Sequence, residues 1–313
     1  MNDAKKRYLQ WASGRSLPLF FQPWWLDIVS SDWRVCFAEE AGMCGVWVYT
    51  VEKRMGLNIV RNPLLTPYLG PLLLPTQTLR TDKQWILEEK LLSALLAQIK
   101  DEDSIDVMCL PTFQNFFALH QNGFKHTQRL TYHIPLTSDA AILFANMDAK
   151  QRSAIRQAEK QLIFEAATTD TIDAFFSFHQ ATLTAKAQQY PYTNRLFKQL
   201  IKRALTQQQA FYQMAKNSVG ETVAFVFAPY DHDTMYLLLT ATNKEARHNG
   251  AVAALIWKAL LFAQQQGLKI FDFEGSMNKG IEQFFRSFGG ERKAYLHATK
   301  HQSTLWKLRE MMR

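Results

Sequence analysis

The chain repeats its own order of elements at an interval of roughly 165 residues, too long for a solenoid and right for a duplicated domain. The stretch GMCGVWVYTVEKRMGLNIV (42–60) reads as two strands joined by a charged turn, and GETVAFVFAPYDHDTMYLLL (220–239) has the same form. Each leads, after an intervening segment, to an amphipathic helix, WILEEKLLSALLAQI (85–99) or AVAALIWKALLFAQQ (251–265). A short strand follows each helix, IDVMCL (105–110) or KIFDFE (269–274). Next comes a helix bearing a phenylalanine pair, Phe116-Phe117 in one half and Phe284-Phe285 in the other. Gly123 and Gly289 end these helices, and a final strand carries Tyr132 or Tyr295. One such agreement arises easily by chance; six in the same order do not. Hairpin, helix, strand, helix and strand make a mixed α/β layer, helices flanking a mostly antiparallel sheet. We therefore expect two fused domains of this class, residues 1–138 and 139–313. The first opens with LPLFFQPWWLDIVSSDW (17–33), read as core, and the second with a helix and strand over 139–180.

Composition narrows the class. A chain of 313 residues has room for two domains with separate cores. Its hydrophobic fraction of 47% and charged fraction of 20% describe a folded globular protein rather than a disordered one. Cys36, Cys44 and Cys109 lie in apolar, strand-like surroundings without C-x-x-C spacing, so they read as reduced core residues and point to the cytoplasm. No metal site is expected. The N-terminal MNDAKKRYLQW leads into no long apolar run, and the apolar stretches are broken within about ten residues, so neither signal peptide nor membrane span is expected. The net charge of +8 suits phosphate-bearing or other anionic partners, and equally suits solvated lysine faces.

Candidate chemistry concentrates in FDFEGSMNKGIEQFFRSFGG (271–290). Asp272 and Glu274 alternate with Phe271 and Phe273, which puts both acids on one face of a strand ending just before Ser276. Acids at the C-terminal end of such a strand lie where open α/β sheets bind ligands, or else cap the turn or pair with Lys279. In KQRSAIRQAEK (150–160), Arg152, Arg156 and Lys160 recur every four residues and share a helix face. That face suits phosphate or carboxylate groups, or is a solvated basic surface beside Glu159. TNKEARHNGAVAALIW (242–257) places the turn Asn249-Gly250 ahead of a helix N-terminus. The histidines show no metal spacing, His179 stands alone, and no G-x-S-x-G elbow supports a Ser-His-Asp hydrolase.

This order of elements resembles the GNAT acyltransferase fold in tandem, and more closely the Fem-type aminoacyl (peptidyl) transferases, which look like two fused GNAT units. The 150–160 helix is similar to that family's K-x-R-x-x-I-R-x-A-x-K helix, and 271–290 to its closing strand–helix segment. NPLLTPYLGPLLLP (62–75) loosely resembles its Gly-Pro segment, with Leu69 where an Arg is common. The resemblance implies a transferase that joins an aminoacyl or acyl group to an amine of a cell-envelope precursor. Its donor would be aminoacyl-tRNA and its acceptor a nucleotide-linked muropeptide, with no tightly bound cofactor. In such chemistry the amine attacks directly, so the protein must hold the partners, polarise the carbonyl with a backbone N–H and remove a proton.

The residues implied are Asp272, Glu274 and Arg286 for catalysis, with Arg152, Arg156, Lys160, Ser276 and Lys279 for substrate. Arg247, Asn249, Gly250 and Thr240 would hold the donor, on a partial match to the GNAT (Q/R)-x-x-G-x-(G/A) loop in which Val252 departs. Phe285 stands where GNAT enzymes commonly place a tyrosine and Fem-type proteins a lysine, with Arg286 about 100° further round the helix. These departures keep open an acyl-CoA-dependent N-acyltransferase, and a degenerate member that only binds a carrier-linked ligand.

Overall fold

The computed structural model describes residues 3–54, 56–75, 80–99, 102–136, 139–184, 192–243 and 250–303, and in it the repeat separates into two units. Unit 1 holds the chain up to Arg15, Phe20–Arg129 and the chain from Ala294; unit 2 holds Ser16–Leu19 and Leu130–Lys293. Compactness thus draws the boundary at 129/130 rather than at 138/139, and assigns the last strand from Ala294 onward to unit 1.

The elements of unit 1 follow from its alternating and continuous apolar runs. They are α1 (Asp3–Ala12), α2 (Pro23–Val29), β1 (Arg34–Glu40), β2 (Met43–Arg54), β3 (Leu57–Arg61), β4 (Gly70–Pro75), α3 (Thr81–Leu96), β5 (Ser104–Met108) and α4 (Phe116–Gln121), with β6 (Lys125–Pro135) begun here. From Met43 to Thr50 every residue of β2 is buried, the mark of a central strand covered on both faces. Its first half pairs antiparallel with β1 and with β4, and its second half with β3, confirming the hairpin expected over 42–60. β3 then runs parallel to β5. Asn115 caps α4 by accepting from the Ala118 N–H at 3.1 Å, a signal not used in reading the sequence. All three cysteines are buried and free; burial pushes the thiol of Cys109 up to about 12 and that of Cys36 to about 11, so neither is a ready nucleophile.

Unit 2 contains α5 (Ala140–Ala145), α6 (Ala149–Gln161), β7 (Ile163–Ala166), α7 (Ile172–Thr184), α8 (Asn194–Thr206), β8 (Ala210–Lys216), β9 (Thr222–Pro229), β10 (Thr234–Tyr236), β11 (Leu239–Thr242), α9 (Ala251–Gln265), β12 (Ile270–Asp272) and α10 (Lys279–Arg286), and begins β13 (Glu291–His301). The helix expected at 251–265 is α9; it is apolar on nearly all sides, and Leu255, Ile256 and Leu260 are wholly buried in it. Burying each such side chain is worth about 1.5–3 kcal/mol, which makes α9 the main support of the sheet it covers. The hairpin expected over 220–239 does not form as a ladder. β9 pairs with β8 and β11, and only a bridge between Tyr230 and Met235 ties it to β10, which instead runs parallel to β12. The physical reason lies in the run 230–233: Asp231 accepts from the N–H groups of Asp233, Thr234 and Leu19 and from the Tyr236 hydroxyl, which fixes a turn that redirects the chain.

Candidate functional site

In unit 2 the strands part at a defined hydrogen bond. The Leu237 N–H donates to the Asp272 carbonyl at 2.9 Å, after which the two chains take different partners. Leu239–Thr242 joins β9, whereas the Phe273 N–H donates to the Tyr132 carbonyl at 3.0 Å. A cavity of about 400 Å³ opens in the gap, walled by β11, by the segment 273–276, by α10 and by α7. This is the place where an α/β sheet exposes unsatisfied strand edges to a ligand.

The local chain conformation aims one acid at this cavity. The strand expected to run through Glu274 ends at Asp272, and Glu274 has a φ of 56°, in the left-handed region. Gly275 follows with a φ of 74°, and a Cβ there would lie 1.8 Å from the Leu130 carbonyl oxygen, so no other residue fits the turn. Strained backbone of this kind is kept where it places a side chain. The two acids therefore do different jobs. Asp272 is 1% exposed and accepts from Thr131 Oγ1 at 2.5 Å and from the Glu274 N–H at 2.7 Å, with His133 Nε2 3.2 Å away. It braces the turn. Glu274 lines the cavity, and its Oε1 is buried without a hydrogen-bond partner among the described residues. Burial, with a smaller contribution from the Asp272 carboxylate, raises the Glu274 carboxyl well above the ordinary carboxylate range.

The opposite wall comes from α7. His179 Nδ1 lies 3.2 Å from the Thr240 carbonyl and Nε2 lies 2.6 Å from the Tyr192 hydroxyl. A carbonyl can only accept, so Nδ1 carries the proton and, in the neutral ring, Nε2 accepts from Tyr192. Thr182, one turn on, donates to the Phe178 carbonyl of its own helix at 2.9 Å and lies 3.4 Å from the Thr242 carbonyl. The register, with the Asn243 N–H bonded to the Val223 carbonyl, turns the N–H groups of Thr240 and Thr242 away from β9, towards the free edge. The Tyr192 hydroxyl is raised by burial and by the nearby Glu274, so it stays protonated.

Of the residues singled out in the sequence, Glu274, Ser276 and Thr240 line the cavity and Asp272 lies beneath it. The others lie elsewhere. Lys279 opens α10 on the exposed surface, and Arg286 sits 3.7 Å from Glu282 in an i,i+4 ion pair. Arg152 donates to the carbonyls of Ala145 and Met147 at the end of α5, Arg156 stacks on Phe144, and Lys160 is exposed; none of the three lines the cavity. Gly250 begins α9 with a φ of 75°, and a Cβ there would meet the Ala154 carbonyl of α6 at 2.5 Å, so close helix packing accounts for it. Arg247 and Asn249 lie outside the described residues. Phe285 packs on Phe273 with ring centroids 5.0 Å apart and supplies cavity wall without a proton donor. His179, Thr182 and Tyr192 were not singled out; the one available hint was a histidine on an otherwise apolar helix face.

Residues 145–286, from the end of α5 to the end of α10, match the model of the acetyltransferase (GNAT) domain. That segment is similar to a GNAT acetyltransferase domain. The GNAT match covers the cavity and every element around it. The whole chain is similar in fold to the crystal structure of FemX, with a TM-score of 0.71, 13% identity and 98% of each chain covered. It is also similar to the structure of L-PGS from Bacillus licheniformis, with a TM-score of 0.56 and 13% identity over 100% of this chain and 94% of that one. A third likeness is to the C-terminal domain of a putative lysylphosphatidylglycerol synthetase from Agrobacterium fabrum, with a TM-score of 0.51 and 12% identity over 90% of this chain and 87% of that one. The fold is thus the Fem-like GNAT fold that the resemblance implied. No curated protein sequence matches the chain. Among the described residues no helix is long and apolar enough to cross a membrane, and no group of three metal-ligating side chains gathers.

Proposed function

We propose that the chain forms an amide bond, moving an aminoacyl or acyl group from a carrier to an amine, with the unit 2 cavity as reaction site and Glu274 as base. Acyl transfer is the general chemistry of the GNAT domain. The observation that carries the finer reading is the buried Glu274 Oε1, unpartnered among the described residues, at the parting of β11 from the segment after β12. An amine must lose a proton to become an amide, and burial makes the Glu274 carboxylate a stronger proton acceptor than an ordinary one. The amine nitrogen attacks the donor carbonyl carbon, and its proton passes to Glu274. The N–H of Thr240, on the free edge of β11, suits the developing oxyanion. The bond from the carbonyl carbon to the carrier's oxygen or sulfur then breaks, and that atom takes up the proton from Glu274.

The carrier we favour is tRNA and the acceptor an amine of a cell-envelope precursor, handled in the cytoplasm. The fold shared with FemX supports this, as does a neighbour named for lysylphosphatidylglycerol synthesis, in which an amino acid is the group transferred. The test is to incubate the purified chain with charged tRNA or acyl-CoA and amine acceptors and to follow products by mass spectrometry. Transfer from charged tRNA, reduced at least 100-fold in Glu274→Gln, is expected. Transfer from acyl-CoA alone would overturn the donor, full activity in Glu274→Gln would overturn the base, and binding without any transfer would favour the non-catalytic alternative.

A further inference from the structure

Unit 1 parts its strands at the same hydrogen bond. The Leu69 N–H donates to the Met108 carbonyl at 2.8 Å, as Leu237 does to Asp272. Beyond it β4 joins β2, while the Cys109 N–H donates to the Leu296 carbonyl at 2.9 Å, as Phe273 does to Tyr132. A cavity of about 250 Å³ opens here too, between β4, the segment 110–114 and the first turns of α3. Its walls differ in kind from those of unit 2. Trp85 and Phe113 supply aromatic surface, Leu72 and Leu110 apolar surface, and Glu88 the one charged group; no Lys, Arg or His lines it among the described residues. Glu88 is held in place: Gln84 Nε2 donates to Oε1 at 2.9 Å and Asn115 Nδ2 to Oε2 at 3.1 Å, while Asn115 is 3% exposed and fixed as the cap of α4. Each carboxylate oxygen keeps a further lone pair for a ligand. A lone negative charge beside aromatic rings, with apolar walls behind, repels anions and suits an ammonium group on an alkyl stem.

We propose that the unit 1 cavity is a second ligand site, selective for the protonated amine of an alkylammonium group. It is independent of the unit 2 reaction site: Glu88 sets the charge preference, Trp85 and Phe113 cover the ammonium, and the leucines take the stem. The probes are n-pentylamine, 1-pentanol and pentanoate, titrated calorimetrically into the full chain at neutral pH. Pentylamine should bind about tenfold more tightly than pentanol, and pentanoate more weakly than either. Glu88→Gln should erase the amine's advantage without changing pentanol, whereas Glu274→Gln should leave all three unchanged. If Glu88→Gln fails to fold, Trp85→Leu should weaken pentylamine several-fold while leaving the melting temperature near that of the parent. Equal binding of amine and pentanoate, an unchanged amine affinity in the Glu88 and Trp85 variants, or loss of amine binding in Glu274→Gln would overturn the proposal.

Discussion

The two partings can be aligned residue by residue through their hydrogen bonds, and the alignment separates scaffold from chemistry. Leu69 corresponds to Leu237, Met108 to Asp272 and Cys109 to Phe273. One position further, Leu110 of unit 1 stands where unit 2 has Glu274. Leu110 is 7% exposed and lines the unit 1 cavity with an apolar side chain, while Glu274 keeps a buried carboxyl oxygen without a partner among the described residues. Even the braces differ: Asp272 holds the turn in unit 2 through Thr131 and the Glu274 N–H, a task that Met108 cannot perform. The backbone thus opens a gap in both units, and which side chain follows the gap decides whether it holds a base. In unit 1 the only acid at the gap among the described residues comes from a helix, as Glu88.

The sharpest way to break this comparison is at the turn itself. Gly275→Ala drives a Cβ to 1.8 Å from the Leu130 carbonyl at a φ of 74° and should cost at least about 4 kcal/mol, read as loss of the urea unfolding transition or a large drop in its midpoint. Gly70→Ala in unit 1 tests the same backbone freedom without the collision. Its nearest neighbour would be Cys109 Sγ at 3.5 Å, so only the left-handed strain of about 1–2 kcal/mol remains. Equal penalties would mean that the unit 2 turn is no more constrained than the strand it is compared with.

Next in size is the exchange of roles at the aligned pair. Glu274→Gln should lower kcat/KM for transfer by about 10²–10⁴ and leave the fold intact. Leu110→Ala should do the reverse, leaving transfer in place while costing roughly 2–3 kcal/mol of stability. The pH dependence sharpens this. Glu274 has its folded-state pKa raised above the ordinary 4.5, so the wild-type fold gains nothing from it below that value and loses stability as pH rises towards the folded pKa. Glu274→Gln should therefore melt increasingly above wild type as pH rises from about 4.5, and the rising limb of the wild-type pH–rate profile should lie above the carboxylate range. A melting difference that shrinks with pH would contradict the burial of that carboxyl.

Much of the fold was legible because the repeat is written in side-chain patterns. Helix 251–265 was read to the residue, and the phenylalanine-pair helices and their glycine ends stand where the periodicity put them. What stayed hidden depends on backbone groups from distant segments, which leave no letter in the local sequence. The Leu130 carbonyl is what forbids a side chain at position 275, and the Thr240 carbonyl is what gives His179 a fixed tautomer. In the helix pattern around His179 nothing marks the Thr240 strand or Tyr192 as neighbours. His179→Phe should accordingly cost about tenfold in kcat/KM by releasing Thr240 and Tyr192, with a shifted pH profile that a packing role alone would not produce. His126→Phe, next to Phe116 in unit 1, should leave kcat/KM unchanged.

The smallest expected effect separates a reading of residues from a reading of their surroundings. Arg152 and Arg156 share a helix face, and that face alone suggested phosphate binding. In the fold the two are unlike. Arg152 donates to the Ala145 and Met147 carbonyls, where α5 has run out of intrahelical donors, so its guanidinium satisfies a helix end rather than a ligand. Arg156 is exposed and rests its guanidinium on Phe144, 5.1 Å from the ring centroid, with no hydrogen-bond partner for its N–H groups among the described residues. Arg152→Ala should therefore cost about 1 kcal/mol in unfolding experiments and leave the salt dependence of tRNA binding unchanged. Arg156→Ala should leave stability within about 0.5 kcal/mol and lower the slope of log affinity against log salt by about one contact. If the two variants exchange these outcomes, the basic helix serves the ligand through Arg152, and the carbonyls at the end of α5 must find another donor.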